Sequence, residues 1–525
     1  MRRKYLWGLA PLALIPVLAG VRAHRGDTVD GQLLFEEVRA RVARGAVDSI
    51  SDDKIYENAA RGLVDKLNDP YAELYSPEEL ANFSRNTLRN DYAGVGMQIQ
   101  DQLGAIVVAT VYPRTPAALG GVQVGDRIMS VDTSSVTGLK IEAVSGKLLG
   151  KAGTPVTVTF KRPGVDTPIQ QRFRRAVVHI PAVPYAVMLD NGVGYIPLQR
   201  FNDSSAGDVT AAIGQLRAAG ARSFVLDMRG NPGGSVEESV AISNLFLAGG
   251  QEIVSVRYRD RDPEVRRTEG SGPHVTEPMI VLVDGGAASA AEIVAGALQD
   301  HDRALVVGTT SYGKGVMQSI YPLHQGWALK LTTAKWYTPS GRSIQRERVI
   351  RNGQFVAAVP DSLETDSSRR VRPAFKSDMG RVVYGGGGIA PDVVVSADTI
   401  TTPEQSFLRA IGPKAQESYH ALYDMAIELR PRTRADFVVQ PAWREDFFKR
   451  LTAAGASVTR AQFDAATPVV DRLIEQQIAT LAFGDSSAFR RQSKSDTQLR
   501  RAVELLRNAR SQPALFVAAN GQTAK

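Results

Sequence analysis

The sequence predicts a multidomain protein of α/β and β class with helical regions at its amino and carboxyl ends. Three observations predict this. Between Pro181 and Asp392 strand-like apolar runs alternate with helical spacing, the order of parallel βαβ units. From Tyr92 to Arg175 short strands are broken by glycine turns. Before Asn90 and after Asp392 the apolar residues return to helical spacing. A chain of 525 residues has room for about three domains of ~150 residues. The expected divisions are 1–24, 25–90, 91–175, 176–398 and 399–525.

The first division reads Met1-Arg2-Arg3-Lys4, an apolar run from Tyr5 to Val21, then Arg22-Ala23-His24-Arg25. A basic start before a short apolar stretch is an export signal, with Val21 and Ala23 as small residues for cleavage. The run is near the lower limit for spanning a bilayer, so an uncleaved membrane anchor is also compatible with it. Either way the body is expected outside the cytoplasm, in the periplasm or secreted. The 43% hydrophobic and 22% charged content is that of a globular chain. The net charge of +8 is spread along the sequence without aromatic interleaving, which argues against nucleic acid as a partner. With no cysteine there is no disulfide and no thiol nucleophile. Six scattered histidines lack ligand spacing, so no metal and no cofactor is expected.

In 25–90, Leu33, Leu34, Val38 and Val42 share one helical stripe, a second helical run lies near Ile55 to Leu67, and Ser76-Pro77-Glu78-Glu79 is a helix start. These helices read as packing or dimer surface, and a homo-oligomer is compatible with them. In 91–175, Ile106–Val111 and Val156–Phe160 read as half-buried strands. Between them Thr115-Pro116-Ala117-Ala118-Leu119-Gly120 is a short helix closed by glycine, and Gly125-Asp126 turns into a strand. This order resembles a PDZ domain. The resemblance implies that Gly94-Val95-Gly96-Met97 receives a peptide's terminal carboxylate on backbone N–H groups, the peptide adding as a strand. An ordinary tight turn would contain the same glycines.

In 176–398, Gly194–Arg200 reads as a strand. A helix follows, capped within Asp203-Ser204-Ser205, with Val209, Ala212, Ile213 and Leu216 on one face. Gly220 ends it, and Ser223–Asp227 is a buried strand. Met279–Val283 and Ala304–Val307 are further buried strands, with a helix beginning at Ser289 between them. The 399–525 region, as in Arg501–Arg510, shows amphipathic helix and no motif, and reads as a solvated helical cap.

Three elements carry chemistry. Ser289 stands where a strand turns into a helix, a position that exposes a side chain at the strand's carboxyl end and aims helix N–H groups at an oxyanion. Ser289 alone equally fits a helix cap. Lys314 lies in Ser311-Tyr312-Gly313-Lys314-Gly315. A lysine can serve as base to a serine if burial lowers its pKa from about 10.4 to roughly 7–8. Gly308 to Lys314 also matches the spacing of a phosphate-binding loop, but Gly315 replaces the Mg²⁺-binding hydroxyl residue. A surface lysine in a flexible loop is a third reading. Asp227-Met228-Arg229-Gly230-Asn231-Pro232-Gly233-Gly234 forces a tight turn whose N–H groups have no side chains before them.

Taken together, and with Asp69-Pro70-Tyr71, Glu292 to Asp300, Tyr337 to Gln345 and Gly385 to Asp392, these elements resemble the carboxyl-terminal processing peptidases, or tail-specific proteases, from about Leu63 to Asp392. The resemblance implies a crotonase-like α/β protease core with an inserted PDZ domain. It implies Ser289 as nucleophile, Lys314 as general base and Gln318 as the residue orienting the lysine. The oxyanion hole would come from the backbone N–H of Ala290 and of a glycine in Gly233-Gly234. The implied activity is cleavage of extracytoplasmic proteins near accessible, apolar carboxyl termini. An inactive peptide-binding scaffold is the alternative. The family pattern has hydroxyl residues at the positions of Ala287 and Ala291, so Ser289 is the one hydroxyl left to attack. Asp284 stands where asparagine is usual.

Overall fold

The computed structural model describes residues 30–84, 91–102, 104–270, 274–351, 354–357 and 370–522. The 1–24 export signal or anchor lies outside the described residues. Among the described residues no helix is long and apolar enough to cross a membrane. The chain forms two compact units, Met1–Leu74 and Tyr75–Lys525.

The first unit carries α1 (Gly31–Gly45) and α2 (Asp52–Asp65). Asp30 and Ser51 cap them with side-chain oxygens that accept first-turn N–H groups. The α1 stripe forms as its spacing requires, but Leu33, Leu34 and Val38 are exposed.

The second unit begins before residue 90. Ser76 and Glu79 close a capping box on α3 (Pro77–Phe83). Phe83 stacks on Tyr75 at 5.1 Å, and Lys330 Nζ donates to Tyr75 Oη at 2.7 Å. Those contacts give α3 a place within the larger unit that its short sequence did not reveal.

An antiparallel sheet follows in the order β1 (Met97–Gln102), β2 (Ala105–Val111), β3 (Arg127–Val131), β4 (Pro155–Lys161), β5 (Ile169–Arg174). With α4 (Ile141–Leu148) it encloses its own core of Val95, Met97, Ile106, Val108, Ile128, Val144, Val156, Val158 and Phe160. Strand β1 is an edge. Asp91–Gly94 pairs with Ala176–His179 where the chain enters and leaves.

Next come two sheets. The first has the order β6 (Val187–Leu189), β7 (Val193–Pro197), β8 (Ser223–Asp227), β10 (Met279–Val283), β11 (Leu305–Gly308), β14 (Val393–Val394), parallel from β7 onward. In the second, β9 (Glu252–Tyr258) and β12 (Val316–Pro322) flank β13 (Ala328–Tyr337) antiparallel. The parallel strands are buried on both faces, as their continuous apolar runs demand. Ile196, Leu226, Val281 and Val306 face a core shared with α5 (Ser205–Ala218), α6 (Val236–Phe246) and α7 (Ala290–Asp300). The strand expected to reach Arg200 stops at Pro197: Leu198 N–H makes the last ladder bond, to Asp227 O, and Gln199 N–H turns away to Ala182 O.

The other face corrects the reading of 399–525 as a solvated cap. Tyr195, Val225, Ile280, Leu282 and Leu305 share a core with Leu499, Ala502, Leu505 and Leu506 of α11 (Thr497–Leu506). Each fully buried leucine there contributes about 1.5–3 kcal/mol of transfer free energy. At its other end the tail packs α8 (Ala415–Leu429) on the antiparallel sheet of β1 to β5. Val107 lies in one cluster with Tyr423 and Met425, and Arg430 Nη1 donates to Val124 O at 3.0 Å. Between these ends run α9 (Thr467–Phe483) and α10 (Asp485–Gln492).

Candidate active site

Three loops leave the carboxyl ends of β8, β10 and β11, the edge at which open parallel sheets bind ligands. The β10 loop is turned by Asp284, whose Oδ1 accepts the N–H groups of Gly230, Gly286 and Ala287 at 2.8, 2.9 and 3.1 Å. An asparagine oxygen would serve the same three donors. Ala288 N–H then donates to Asn231 O at 2.9 Å, tying this loop to the β8 turn. The loop ends at Ser289, the N-cap of α7.

Ser289 differs from an ordinary cap. The caps Ser51, Ser76 and Ser235 sit at φ near −65° in extended backbone. Ser289 has φ 54° and ψ −114°, a conformation rare for a side-chain-bearing residue and costing of order 1–3 kcal/mol. Such a strained strand-to-helix turn lifts a hydroxyl clear of the sheet.

Glu292 overdetermines the strain. It is fully buried, and its carboxylate collects four donors: the N–H groups of Ser289 (2.8 Å), Gly313 (2.7 Å) and Lys314 (2.9 Å), and the Ser311 hydroxyl. Burial pushes the Glu292 carboxyl up, against the pull of those four donors. One side chain thus clamps the serine turn to the lysine loop. The remaining loop groups are also spent. Gly315 N–H donates to Gln345 Oε1 at 2.8 Å, and Lys314 O accepts Trp336 Nε1 at 3.0 Å. A phosphate-binding loop must offer its N–H groups to the ligand. Here those of Gly313, Lys314 and Gly315 are all satisfied by side chains, which removes that reading and the flexible-loop reading together.

The β8 turn closes over Ser289. A Cβ on Gly233 would lie 2.9 Å from Ser289 Cβ and 3.0 Å from Ala290 N, and Gly233 has φ 92°. A Cβ on Gly234 would lie 2.0 Å from Phe201 O. Only glycine fits either place. Gly233 N–H donates to Asn231 Oδ1 at 2.9 Å. Among the described residues the N–H groups of Gly234 and Ala290 donate to no protein acceptor, so these two are the donors available to an oxyanion.

Gln318 lies on β12, where Nε2 donates to Thr332 Oγ1 across the strand pair at 3.3 Å and Oε1 accepts no hydrogen bond from the described residues. Ser289, Lys314, Gln318 and Gly234 line one cavity of about 280 Å³, with Phe83, Met317 and Trp336 among its apolar walls. Phe83 belongs to a segment that the sequence assigned to packing or a dimer surface.

Gly94, Val95, Gly96 and Met97 are buried where the chain enters β1. Gly96 O accepts Tyr112 N–H at 3.0 Å, and Gly96 adopts φ 87°. The N–H groups of Val95 and Gly96 reach no acceptor among the described residues.

The peptidase family S41 model matches residues 192–353 and a PDZ-domain model matches residues 107–162. A carboxy-terminal-processing protease of Bartonella bacilliformis is 39% identical over 316 residues, 59% of this chain and 72% of that protein. The carboxy-terminal processing protease CtpA of Bacillus subtilis is 32% identical over 373 residues, 71% of this chain and 74% of that protein. The chain belongs to peptidase family S41. It is a serine peptidase that carries a PDZ domain. The PDZ match covers β2 to β4, and the sheet joins β1 and the Gly94–Met97 loop to it.

The sequence assigned no role to three groups of this S41 peptidase that hold its candidate site. The signal for Glu292 was available: an acid three residues after a cap closes a capping box, and here the box is buried within an otherwise apolar helix. Gln345 lay within the Tyr337 to Gln345 stretch that carried the resemblance, but neither it nor Trp336 had a local signal for its role, since each meets the lysine loop only through the fold.

Proposed function

We propose that this S41 peptidase cleaves proteins near their carboxyl termini by a serine–lysine mechanism, on a crotonase-like core. The observation that carries the reading is the cavity in which Ser289, on strained backbone at a helix N-terminus, shares walls with Lys314, Gln318 and the free N–H of Gly234. Lys314, when neutral, takes the Ser289 proton as Oγ attacks the scissile carbonyl. The oxyanion is received by the N–H groups of Ala290 and Gly234. The lysine returns its proton to the leaving amine, and water hydrolyses the acyl-enzyme. Gln318 Oε1 is the acceptor that holds the lysine in line.

The PDZ domain captures an apolar carboxyl-terminal tail. The carboxylate takes the N–H groups of Val95 and Gly96 in the Gly94–Met97 loop, and the tail lies along the open edge of β1. The basic start and apolar run at the amino terminus support an exported or anchored enzyme that acts outside the cytoplasm. The reading is tested with a tailed peptide and its carboxy-amidated twin. Ser289→Ala and Lys314→Ala are expected to abolish cleavage while tail binding persists, and amidation to weaken capture. Undiminished turnover in either variant would sink the mechanism, and a tail bound equally well as the amide would sink the capture.

A further inference from the structure

A second cavity, of about 370 Å³, lies where the PDZ sheet, the protease core and the carboxyl-terminal helices meet. Its lining includes Gln98, Thr110 and Tyr112 of the PDZ domain, Arg200 of the core, and Asp485 and Phe489 of the tail. Arg200 Nε is buried there without a hydrogen-bond partner. Among the described residues the Arg200 guanidinium forms no ion pair, although Asp485, whose carboxyl is pushed up by burial, borders the same space. Tyr112 lies close enough for the Arg200 charge to oppose the effect of burial on its phenol. A guanidinium N–H withdrawn from water without an acceptor is a cost that a ligand oxygen would relieve.

Strand alternation says which part of a ligand reaches it. Met97 is buried in the PDZ core, Gln98 is exposed on the opposite face, and Ile99 turns inward again. Gln98 pairs across the sheet with Thr110, and both border the Arg200 cavity. A tail laid along β1 with its carboxylate on Val95 and Gly96 points its last side chain to the apolar face of Met97 and Ile99. Its penultimate side chain then points to the face of Gln98 and Thr110. We propose that Arg200 selects the tail, pairing with an acidic side chain at its penultimate position. The inference rests on the reading of Gly94–Met97 as the carboxylate loop. Arg200 also links this pairing to the protease core, because the next residue, Phe201, brackets the oxyanion turn. Phe201 N–H donates to Gly233 O at 3.1 Å, and its carbonyl accepts Ser235 N–H at 2.8 Å.

The test uses the full chain with Ser289→Ala, so that peptides bind without turnover. Four peptides share their upstream residues and final apolar residue: penultimate Glu, Gln and Lys, and a carboxy-amidated Gln form. With Arg200 in place the Glu tail is expected to bind about tenfold tighter than the Gln tail, as a charge-assisted bond allows, and the Lys tail most weakly. Added salt should narrow the gap. Arg200→Gln should bring the Glu-to-Gln ratio close to one, and Arg200→Lys should keep part of it. The ratio is read within each variant, so any change common to both tails cancels. Equal affinities for Glu and Gln tails on the Arg200 chain would overturn the inference, as would a ratio that survives Arg200→Gln. Preference for the Lys tail would also overturn it and assign the selection to Asp485. If amidation weakens binding while Glu and Gln tails bind alike, only the Arg200 role fails. If amidation changes nothing, or no tail binds, the carboxylate-loop reading fails with it.

Discussion

Glu292→Gln separates the charge of the buried clamp from its shape. In the native site Oε1 accepts the Ser311 hydroxyl and the Gly313 N–H, and Oε2 accepts the N–H groups of Ser289 and Lys314. A glutamine offers its oxygen to one pair only and sets its NH₂ against the donors of the other. With the NH₂ toward Ser311, that hydroxyl can turn to accept, and the Gly313 N–H is stranded. With the NH₂ reversed, both Ser289 and Lys314 lose their acceptor. A stranded buried N–H costs about 1–3 kcal/mol, and exchanging an ionised acceptor for a neutral one costs about 1 kcal/mol for each of two surviving bonds. The milder orientation therefore costs about 3–5 kcal/mol. The site relieves that cost by parting the serine turn from the lysine loop, and about 2.7 kcal/mol of lost positioning is already a hundredfold in rate. The assay is kcat/KM on a tailed peptide, paired with amide hydrogen exchange at Gly313 and Lys314. A fall of hundredfold or more, with faster exchange at both amides, is expected. Activity within about threefold of the parent and unchanged protection would refute the clamp.

Asp284→Asn should leave activity within about threefold, since one oxygen accepts all three turn N–H groups, whereas Asp284→Ala removes that shared acceptor, at about 0.5–1.5 kcal/mol for each bond lost, and should lower kcat by more. Steady-state kinetics of the two variants distinguish these outcomes. Asp496→Ala should loosen α11, because Arg229 bridges Asp227 and Asp496 at 2.6 and 2.7 Å; faster exchange across 497–506 is the readout, and unchanged exchange would contradict it. The hydrogen bonds from Arg217 hold the Glu277 carboxyl below its ordinary 4.5. A carboxyl depressed in the folded state stabilises above its unfolded pKa and loses that contribution as pH falls through the folded one. Glu277→Gln should therefore lower the urea midpoint at pH near 7, with the gap closing as the pH falls from the ordinary 4.5 through the lower folded value. A gap that persists there would refute the assignment.

Much of this architecture was legible in the sequence because it follows from local spacing. The face Val209, Ala212, Ile213 and Leu216 marked α5, and the continuous apolar runs of Ser223–Asp227 and Met279–Val283 marked strands buried on both sides. The tail was misjudged for a related reason. Amphipathic spacing shows that Leu499, Leu505 and Leu506 need cover but not that the open face of the parallel sheet supplies it. The site residues Ser289 and Lys314 stood out through their glycine-rich loops, yet each loop alone had a commoner explanation.

The sequence by itself determined the elements, their order and the residue types that chemistry at this site requires, because periodicity, capping and turn preferences act within a few residues of each other. Only the tertiary structure decided among the readings of those residues. The φ of 54° at Ser289, the four donors gathered by Glu292 and the Ala288 N–H donated to Asn231 O arise between loops that leave different strands. A cap becomes a strained turn, and a glycine loop a rigid one, only when a buried acceptor from elsewhere in the chain holds them. That acceptor has its place because the parallel sheet brings the ends of β8, β10 and β11 to one edge.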